Sequence, residues 1–260
     1  MRTPFFSVFP YFNSQQMPYA GMQPPFYDSG SIPAVSILEA GSDIIMAELM
    51  RNLGSEENAE ICFRKRSLRR QKSWRQIELK VYGVEYEERV GLFPDTMRIM
   101  DGIEGVSTVY FSLLAPGAEI KPHTGDTDAY FRIHLGLKIP DLLPVCGIEV
   151  AGLRRSWEEG RCIAFNDAYC HAAWNRSQSE RIVLIVDVLR PEFQHRRVFV
   201  ESGVRATLYH SRLYEIFFPV IELFPRALTR LGRPTFHLFS YLYHSARHWI
   251  ISRSGGEERV

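Results

Sequence analysis

The sequence is poor in cysteine, in long hydrophobic runs and in net charge, and each shortage excludes a class of protein. Its four cysteines have no Cys-x-x-Cys spacing, so they indicate reduced thiols and not a disulfide framework. No apolar run reaches the roughly 18 residues that a transmembrane helix needs. Prolines interrupt the aromatic N-terminus, which is unlike a signal peptide. We therefore expect a cytoplasmic protein without a transmembrane helix.

Basic and acidic residues nearly balance, at 31 and 30 positions, so no overall field attracts nucleic acid, and none is expected as a partner. The local exception is "CFRKRSLRRQKSWR", in which seven Lys or Arg residues fall between Arg64 and Arg75. A solvated basic loop is the simplest interpretation of such a run. Docking of an anionic carrier, a lipid or nucleic acid to this loop is the alternative.

The chain divides into three parts by composition. Residues 1–35 form an irregular arm, and apolar spacing predicts a first helix over 37–53, with "SILE" as its capping box. Short apolar or alternating runs follow, which predict a β-sandwich or barrel within a domain at 36–205. These runs are "IELKVYGV", "STVYFSLLAPG", "FRIHLGLKIP", "CGIEVAGLRRSW", "RCIAFND" and "RIVLIVDVLRP".

Residues 206–260 return to a helical period and are rich in aromatics. "SRLYEIFFPVIELFPRALTRLG" and "TFHLFSYLYHSARHWIIS" predict two or three helices, divided by prolines and by the Gly-Arg-Pro punctuation. This helical extension could cover the β-core, form a homodimer interface or rest on a membrane surface.

Two histidines are the candidate metal ligands. His123 opens the polar turn of "IKPHTGDTDAYFRIHLGLKIP", and His171 follows the strand in "CIAFNDAYC". The hairpins between them suit a barrel that brings both imidazoles to one mouth. Imidazole binds iron, zinc, copper and nickel alike, so the pair does not identify the metal. Buried structural histidines remain the alternative at this point.

Inward-facing cations favour the functional interpretation. Arg132 and His134 are two residues apart on one strand and share a face, while Arg181 opens the strand "RIVLIVDV". Cations inside a barrel are costly unless they meet anions. A bound dicarboxylate would satisfy them, because the guanidinium fork matches carboxylate geometry.

The segment from about 93 to 192 resembles a known family. Its motifs are "FSLLAPGAEIKPHTGDTDAYFRIHLGLKIP", "SWEEGRCIAFNDAYCHAAWN" and "ERIVLIVDVLRPE". They are similar to those of the aspartyl/asparaginyl β-hydroxylases, which are Fe(II)- and 2-oxoglutarate-dependent oxygenases. The resemblance implies a mainly β fold, a double-stranded β-helix (jelly roll, cupin-like) with flanking helices and here a helical C-terminal extension. It also implies Fe(II), 2-oxoglutarate and O2 as the cofactor set.

The resemblance assigns a role to each matching residue. His123 and His171 correspond to the iron ligands, and Arg181 with Ser112 to the pair that holds the distal carboxylate of 2-oxoglutarate. Arg132 and His134 correspond to the contacts of its C1 carboxylate. Gly125 stands where related oxygenases carry a third, carboxylate ligand, and some members of this family also have glycine there. Trp157 and Asp187 recur in the family pattern and are expected to be fold residues.

Four residues bear on the substrate. Asp126 and Asp128 follow the glycine, and strand alternation points Asp126 away from His123, so both are expected to cap the turn or contact substrate. A metal-ligand role for either is the alternative, and for Asp126 it would require a β-bulge. Tyr130 and Val84 stand where the aspartyl hydroxylases have substrate-binding arginines. Losing both cations argues against a free acidic side chain as the substrate.

The expected activity is hydroxylation of an unactivated C–H bond. The first choice of substrate is an amino-acid residue, peptide- or carrier-bound in a biosynthetic pathway. A lipid acyl chain is the alternative, as are halogenation or desaturation at the same iron site, because Gly125 leaves a coordination position for a halide. A different class of function is also possible, in which the chain keeps the jelly-roll fold but is a binding or scaffold protein and not an enzyme.

Overall fold

The computed structural model describes residues 10–13, 19–21, 23–63 and 73–208, together with positions 238, 242 and 246. Two antiparallel sheets form its body. The six-stranded sheet has the order β2-β1-β3-β10-β5-β8, and the four-stranded sheet the order β4-β9-β6-β7. The strands are β1 (Trp74–Val81), β2 (Val84–Glu85), β3 (Val106–Leu114), β4 (Ala118–His123), β5 (Tyr130–Lys138), β6 (Cys146–Val150), β7 (Leu153–Arg155), β8 (Cys162–Phe165), β9 (His171–Asn175) and β10 (Arg181–Leu189).

The order of the strands identifies the fold. From β3 onwards the chain passes from one sheet to the other and back: β3, β5, β8 and β10 lie in the large sheet, and β4, β6, β7 and β9 in the small one. Two sheets wound together in this way form a double-stranded β-helix, the jelly roll expected from the resemblance. All six runs predicted to be strands are strands.

Helices cover the outer face of the large sheet. They are α1 (Pro33–Ala40), α2 (Ser42–Leu53), α3 (Glu56–Phe63), α4 (Glu87–Val90) and α5 (Pro94–Asp101). The single helix predicted over 37–53 was wrong in two respects. Pro33 begins α1 at a position where a missing N–H costs nothing, and Gly41 separates α1 from α2. The predicted capping box therefore lies inside α1, where Ser36 Oγ donates to Pro33 O.

The large sheet is buried on both faces, which explains why strands such as "VSTVYFSLL" are apolar throughout. Its outer face packs against the helices through Phe111, Leu113 and Leu184. Its inner face packs against the small sheet through Val183 and Ile185. The inner face also carries the polar side chains singled out from the sequence, so the space between the two sheets is where a site can form.

A further helix over 197–208 closes one end of the body. It follows a 3-10 turn (Pro191–Arg196) and buries Val200 and Val204 in a cluster with Tyr130 and Leu189. The domain boundary drawn at 205 therefore falls inside a helix that packs on the β-core. The basic run at 64–72 and nearly all of the C-terminal extension lie outside the described residues.

Candidate active site

His123 and His171 meet across the small sheet. His123 ends β4, His171 begins β9, the two are paired in the strand register, and their ring centroids are 4.2 Å apart. The Nδ1 atom of His123 lies 2.8 Å from Lys121 O, and that of His171 lies 2.9 Å from Tyr169 O. Because a carbonyl oxygen only accepts, both Nδ1 atoms carry the proton, and both Nε2 atoms present the lone pair that a metal needs.

The protonation state of His171 also suits a metal ligand. Burial, together with the neighbouring His123, lowers the pKa of His171 to about 3. The ring is therefore neutral over the physiological range, which is the form that binds a metal. His123 is exposed while His171 is buried, so the pair lies at a mouth that opens to solvent.

Asp167 fills the space beside Gly125. The Gly125 N–H donates to Asp167 O at 2.7 Å, and a Cβ placed on Gly125 would lie 1.9 Å from Asp167 Oδ2. A side chain at position 125 therefore has no room. Among the described residues, no group of three or more His, Cys, Asp or Glu side chains has the arrangement of a metal site. Of the ligands predicted from the sequence, the structure brings His123 and His171 together, and their binding of a metal stays a prediction.

Asp167 was missed by the sequence reasoning, and it pairs with a cation of the site. Arg132 donates to both oxygens of Asp187, at 2.7 and 2.8 Å, and its Nη1 lies 2.6 Å from Asp167 Oδ2. Burial raises the pKa of Asp167 to about 7, against the opposing effect of the Arg132 charge. The expected contact between Arg132 and the C1 carboxylate stays a prediction, because two protein carboxylates already engage this guanidinium.

Arg181 has no such partner. It is 1% exposed, and no carboxylate within the described part of the chain forms an ion pair with it. Its Nη1 donates weakly to the carbonyl oxygen and hydroxyl of Ser112, at 3.3 and 3.4 Å, its guanidinium lies over the Trp157 ring, and its buried Nε has no hydrogen-bond partner. Burial lowers the pKa of Arg181 to about 10, so it remains charged at neutral pH.

His134 presents a second buried donor on the same face. Trp157 Nε1 donates to His134 Nδ1 at 3.3 Å, which places the remaining ring proton on Nε2. That Nε2 atom is buried and has no hydrogen-bond partner in the part of the chain that the structure describes. Burial and then the charges of Arg132 and Arg181 hold the pKa of His134 well below its usual value. Trp157, expected to be only a fold residue, thus contacts both His134 and Arg181.

The two buried donors that lack a partner among the described residues indicate which kind of ligand the cavity would bind. Arg181 Nε and the Nε2–H of His134 lie on the inner faces of adjacent strands, β10 and β5. A buried charge and a buried N–H left unsatisfied are costly, and an anion with two carboxylates would engage both. The histidine pair, on the facing sheet, completes the set.

The tentative substrate residues have mostly structural contacts. The Tyr82 hydroxyl donates to Asp126 Oδ2 at 2.7 Å, and Asp128 Oδ1 accepts from the Tyr11 N–H at 2.8 Å. Tyr130 is 2% exposed, and its hydroxyl accepts from Ser107 Oγ. Val84 lies on the edge strand β2, four positions from β5 in the strand order. Contacts of these four residues with substrate stay predictions.

Comparison with known proteins gives the family. The model of the family described as aspartyl/asparaginyl beta-hydroxylase matches residues 39–191. This chain belongs to the aspartyl/asparaginyl beta-hydroxylase family. The expectation drawn from the three motifs is therefore confirmed, and the match includes α2, α3 and all ten strands.

Members of the family differ in how much of this chain they resemble. An ornithine lipid ester-linked acyl 2-hydroxylase of Rhizobium tropici is 30% identical over 192 residues, covering 72% of this chain and 68% of that protein. The aspartyl/asparaginyl beta-hydroxylase of Mus musculus is 34% identical over 138 residues, covering 50% of this chain but 18% of that protein.

Solved structures are more distant. A viral collagen prolyl hydroxylase from Paramecium bursaria Chlorella virus 1, in complex with 2-oxoglutarate, has a TM-score of 0.35 and 14% identity, covering 56% of this chain and 90% of that chain. Family membership rests on the match of the family model, and the substrate of this chain is a separate question. No described helix is long and apolar enough to cross a membrane.

Proposed function

We propose that this protein is an Fe(II)- and 2-oxoglutarate-dependent hydroxylase. The observation that carries the proposal is Arg181, a buried cation that has no anionic partner among the described residues, next to the buried His134 Nε2, which has no hydrogen-bond partner among them either. His123 and His171 would hold Fe(II) through Nε2. Bound iron would supply the activation of dioxygen that is coupled to oxidative decarboxylation of 2-oxoglutarate.

The protein's part in this reaction is binding, orientation and exclusion of water. Arg181 and Ser112 would hold the distal carboxylate of 2-oxoglutarate, with Trp157 below the guanidinium. His134 would donate its Nε2–H to the other end of the cosubstrate. Asp167 and Asp187 hold Arg132 in one orientation with short, charge-assisted hydrogen bonds.

Cofactor binding is tested by anaerobic titration. Fe(II) and 2-oxoglutarate together should give a weak visible charge-transfer band that neither gives alone. A His171→Ala variant should lose the band, and an exposed control, Arg176→Met, should keep it. A protein that binds neither ligand, or that gives no band and forms no succinate when oxygen is admitted, would refute the proposal.

For the substrate, we propose a lipid acyl chain. A relative that covers 72% of this chain and 68% of its own length is named as an ornithine lipid ester-linked acyl 2-hydroxylase. Tyr130 stands where the aspartyl hydroxylases have a substrate-binding arginine. Its side chain is buried and forms a hydrogen bond with Ser107. An amino-acid residue, the first choice from sequence, is the second candidate.

One assay separates the two substrate classes. We incubate the enzyme with Fe(II), 2-oxoglutarate and isotopically labelled dioxygen. The substrate is either an ornithine-containing lipid or a peptide mixture prepared from cells. We expect mass spectrometry to find one labelled oxygen atom on the acyl chain and none on peptides. Labelled peptides with unlabelled lipid would overturn the lipid assignment and leave the hydroxylase assignment standing.

Halogenation is disfavoured by the surroundings of Gly125. A halide needs an open coordination position, whereas the buried Asp167 side chain fills the space beside this glycine. Hydroxylation should therefore proceed without chloride and give no chlorinated product in its presence. Desaturation would be recognised by a product two hydrogens lighter that carries no labelled oxygen.

A further inference from the structure

The N-terminal arm, by which we mean residues 10–13, 19–21 and 23–27, contacts the loop that follows His123 and the loop that precedes His171. Against the loop after His123, the Asn13 N–H donates to Asp126 O at 2.9 Å, and Asn13 Nδ2 donates to Thr124 Oγ1 at 3.0 Å. The Tyr11 N–H donates to Asp128 Oδ1 at 2.8 Å. Asp128, a tentative substrate residue from sequence, is thus an anchor of the arm.

The second half of the arm lies against the loop before His171. The Tyr169 hydroxyl donates to Gln23 O at 2.8 Å and more weakly to Gly21 O at 3.3 Å. The Asn166 N–H donates to Pro25 O at 3.0 Å. The arm therefore contacts this loop through Tyr169 and Asn166, and His171 contacts the same loop through the carbonyl oxygen of Tyr169.

A row of three tyrosines connects the two halves. The rings of Tyr11 and Tyr19 meet edge to face at 5.4 Å, and those of Tyr19 and Tyr169 at 4.9 Å. The row therefore runs from one ligand-bearing loop to the other. Edge-to-face pairs of this kind stabilise the contact beyond the area they bury.

Tyr169 links the arm to a candidate ligand directly. Its side chain is held by the arm, and its carbonyl oxygen accepts the proton on His171 Nδ1 at 2.9 Å. We propose that the arm is a clamp that fixes the positions of His123 and His171, with Tyr19 and Tyr169 as positioning residues. The inference rests on the proposed iron site, and it gives a function to a segment that lies outside the family match at 39–191.

Coupling between two sites is reciprocal, which allows a test without turnover. If the clamp favours metal binding, metal binding must strengthen the clamp. Hydrogen exchange of the full chain is measured with and without Mn(II) and 2-oxoglutarate. Peptides from the arm should exchange several-fold more slowly in the presence of both, while those from α2, on the far face of the large sheet, should not change.

The outcomes separate this inference from the proposed function. Binding of Mn(II) and 2-oxoglutarate, followed by calorimetry, with no change in exchange of the arm would overturn the clamp and leave the iron site standing. Failure to bind either ligand would overturn the proposed function and the clamp with it. Slower exchange confined to the arm and the two loops supports both.

Variants of the tyrosine row test the same coupling from the other side. Tyr169→Phe keeps the carbonyl that bonds His171 and removes only the hydroxyl that bonds the arm; Tyr19→Ala removes the middle ring. We expect each to raise the Kd for Mn(II), measured with 2-oxoglutarate present, by roughly threefold to tenfold. Tyr11→Phe is the matched control, because it keeps the ring and the backbone N–H and loses a long contact, 3.4 Å, from its hydroxyl to Asn13 Oδ1.

A structural role alone would give a different result. It would lower the thermal stability of Tyr169→Phe and leave the Kd of the folded fraction at the value of Tyr11→Phe. Unchanged Kd values in both Tyr169→Phe and Tyr19→Ala would overturn the proposal.

Discussion

At the scale of single residues, the buried charge of Arg181 is expected to lower the stability of the protein while it provides the proposed binding site for 2-oxoglutarate. A buried charge that lacks an anion destabilises the ligand-free protein, and replacing it with an apolar residue of similar volume is often neutral or stabilising. Arg181→Met should therefore raise the free energy of unfolding by about 1 kcal/mol or more in the absence of ligands. The measurement is urea denaturation of the metal-free protein.

The same substitution should weaken cosubstrate binding strongly. Charge-assisted hydrogen bonds to a carboxylate contribute up to about 3 kcal/mol, so affinity for 2-oxoglutarate should fall about 100-fold. Arg176→Met, at an exposed arginine paired with Glu119, should change neither quantity. If Arg181→Met were less stable and still bound 2-oxoglutarate normally, Arg181 would not be the anion site.

His134 predicts a pH dependence of stability. Its pKa is held well below 6.5 in the folded state by burial and by the charges of Arg132 and Arg181. Below about pH 6.5 the unfolded chain therefore binds a proton that the folded chain does not, and stability falls as pH falls. The slope due to one such residue is about 1.4 kcal/mol per pH unit.

His134→Gln should remove that share of the slope. We expect the difference in unfolding free energy between wild type and variant to shrink or reverse as pH falls from 7 to 5. His171, with a pKa of about 3, adds a slope of the same sign in both proteins and cancels from the difference. A pH-independent difference would mean that His134 is not buried as a neutral ring.

The charge argument made from the sequence was wrong about the anions of Arg132 and stays a prediction for Arg181. It required anions for the inward-facing cations and looked for them in a bound ligand. Arg132 finds its anions in Asp167 and Asp187, whereas Arg181 finds none in the described chain. Sequence shows which residues are charged, but it takes the strand register to show which charges meet.

At the scale of elements, the loop after β4 and the loop before β9 are fitted to each other. Gly125→Ala would place a methyl group 1.9 Å from Asp167 Oδ2, so we expect a loss of about 1–3 kcal/mol in stability. Gly102→Ala is the control, since its Cβ would meet nothing closer than 3.4 Å. Thermal or urea unfolding measures both.

Removing the opposing side chain should reverse much of that loss. In an Asp167→Ala background the substitution of Gly125 should cost clearly less, because the two positions share one volume. Equal costs in both backgrounds would show that the two loops adjust independently.

The elements themselves were largely predictable. The apolar runs divided by Gly and Pro located the strands of Ser112, Arg132, His134 and Arg181. The strands that carry His123 and His171, β4 and β9, lie outside those runs. The helix over 37–53 was predicted wrongly because its apolar stripe continues through Gly41, and periodicity alone does not detect a break that keeps the same face. The arm was predicted only to be irregular. Its contacts could not be predicted, because they are made with loops that lie far away in the sequence.

At the scale of the whole molecule, a lipid substrate requires contact with a bilayer. Leu238 and Leu242 are helical, four residues apart, and exposed by 59% and 55%. That spacing places two side chains on one helical face. If the substrate is a membrane lipid, the double variant Leu238→Asp, Leu242→Asp should reduce cosedimentation with anionic vesicles several-fold.

A matched pair of exposed residues provides the control. Ile44 and Met50 on α2 are exposed by 52% and 49%, and changing both to aspartate should leave vesicle binding unchanged. Equal loss in the two double variants would indicate an effect of charge alone. No binding by the wild-type chain would contradict docking through this face.

The overall topology needed more than periodicity. The strand pattern is compatible with a sandwich or a barrel, and only the resemblance of the motifs selected the double-stranded β-helix. The wrapping of β4, β6, β7 and β9 into a second sheet follows from long-range pairing, such as His123 with His171, that no local signal encodes.

The contact between Gly125 and Asp167 also restricts how this chain can evolve. A single codon change that restores a carboxylate at position 125 meets an occupied volume and a like charge, so it passes through a less stable intermediate. Descendants that regain a third ligand must lose or shrink residue 167 first. We therefore expect the two positions to vary together among homologues, with a small residue at 167 wherever 125 is acidic.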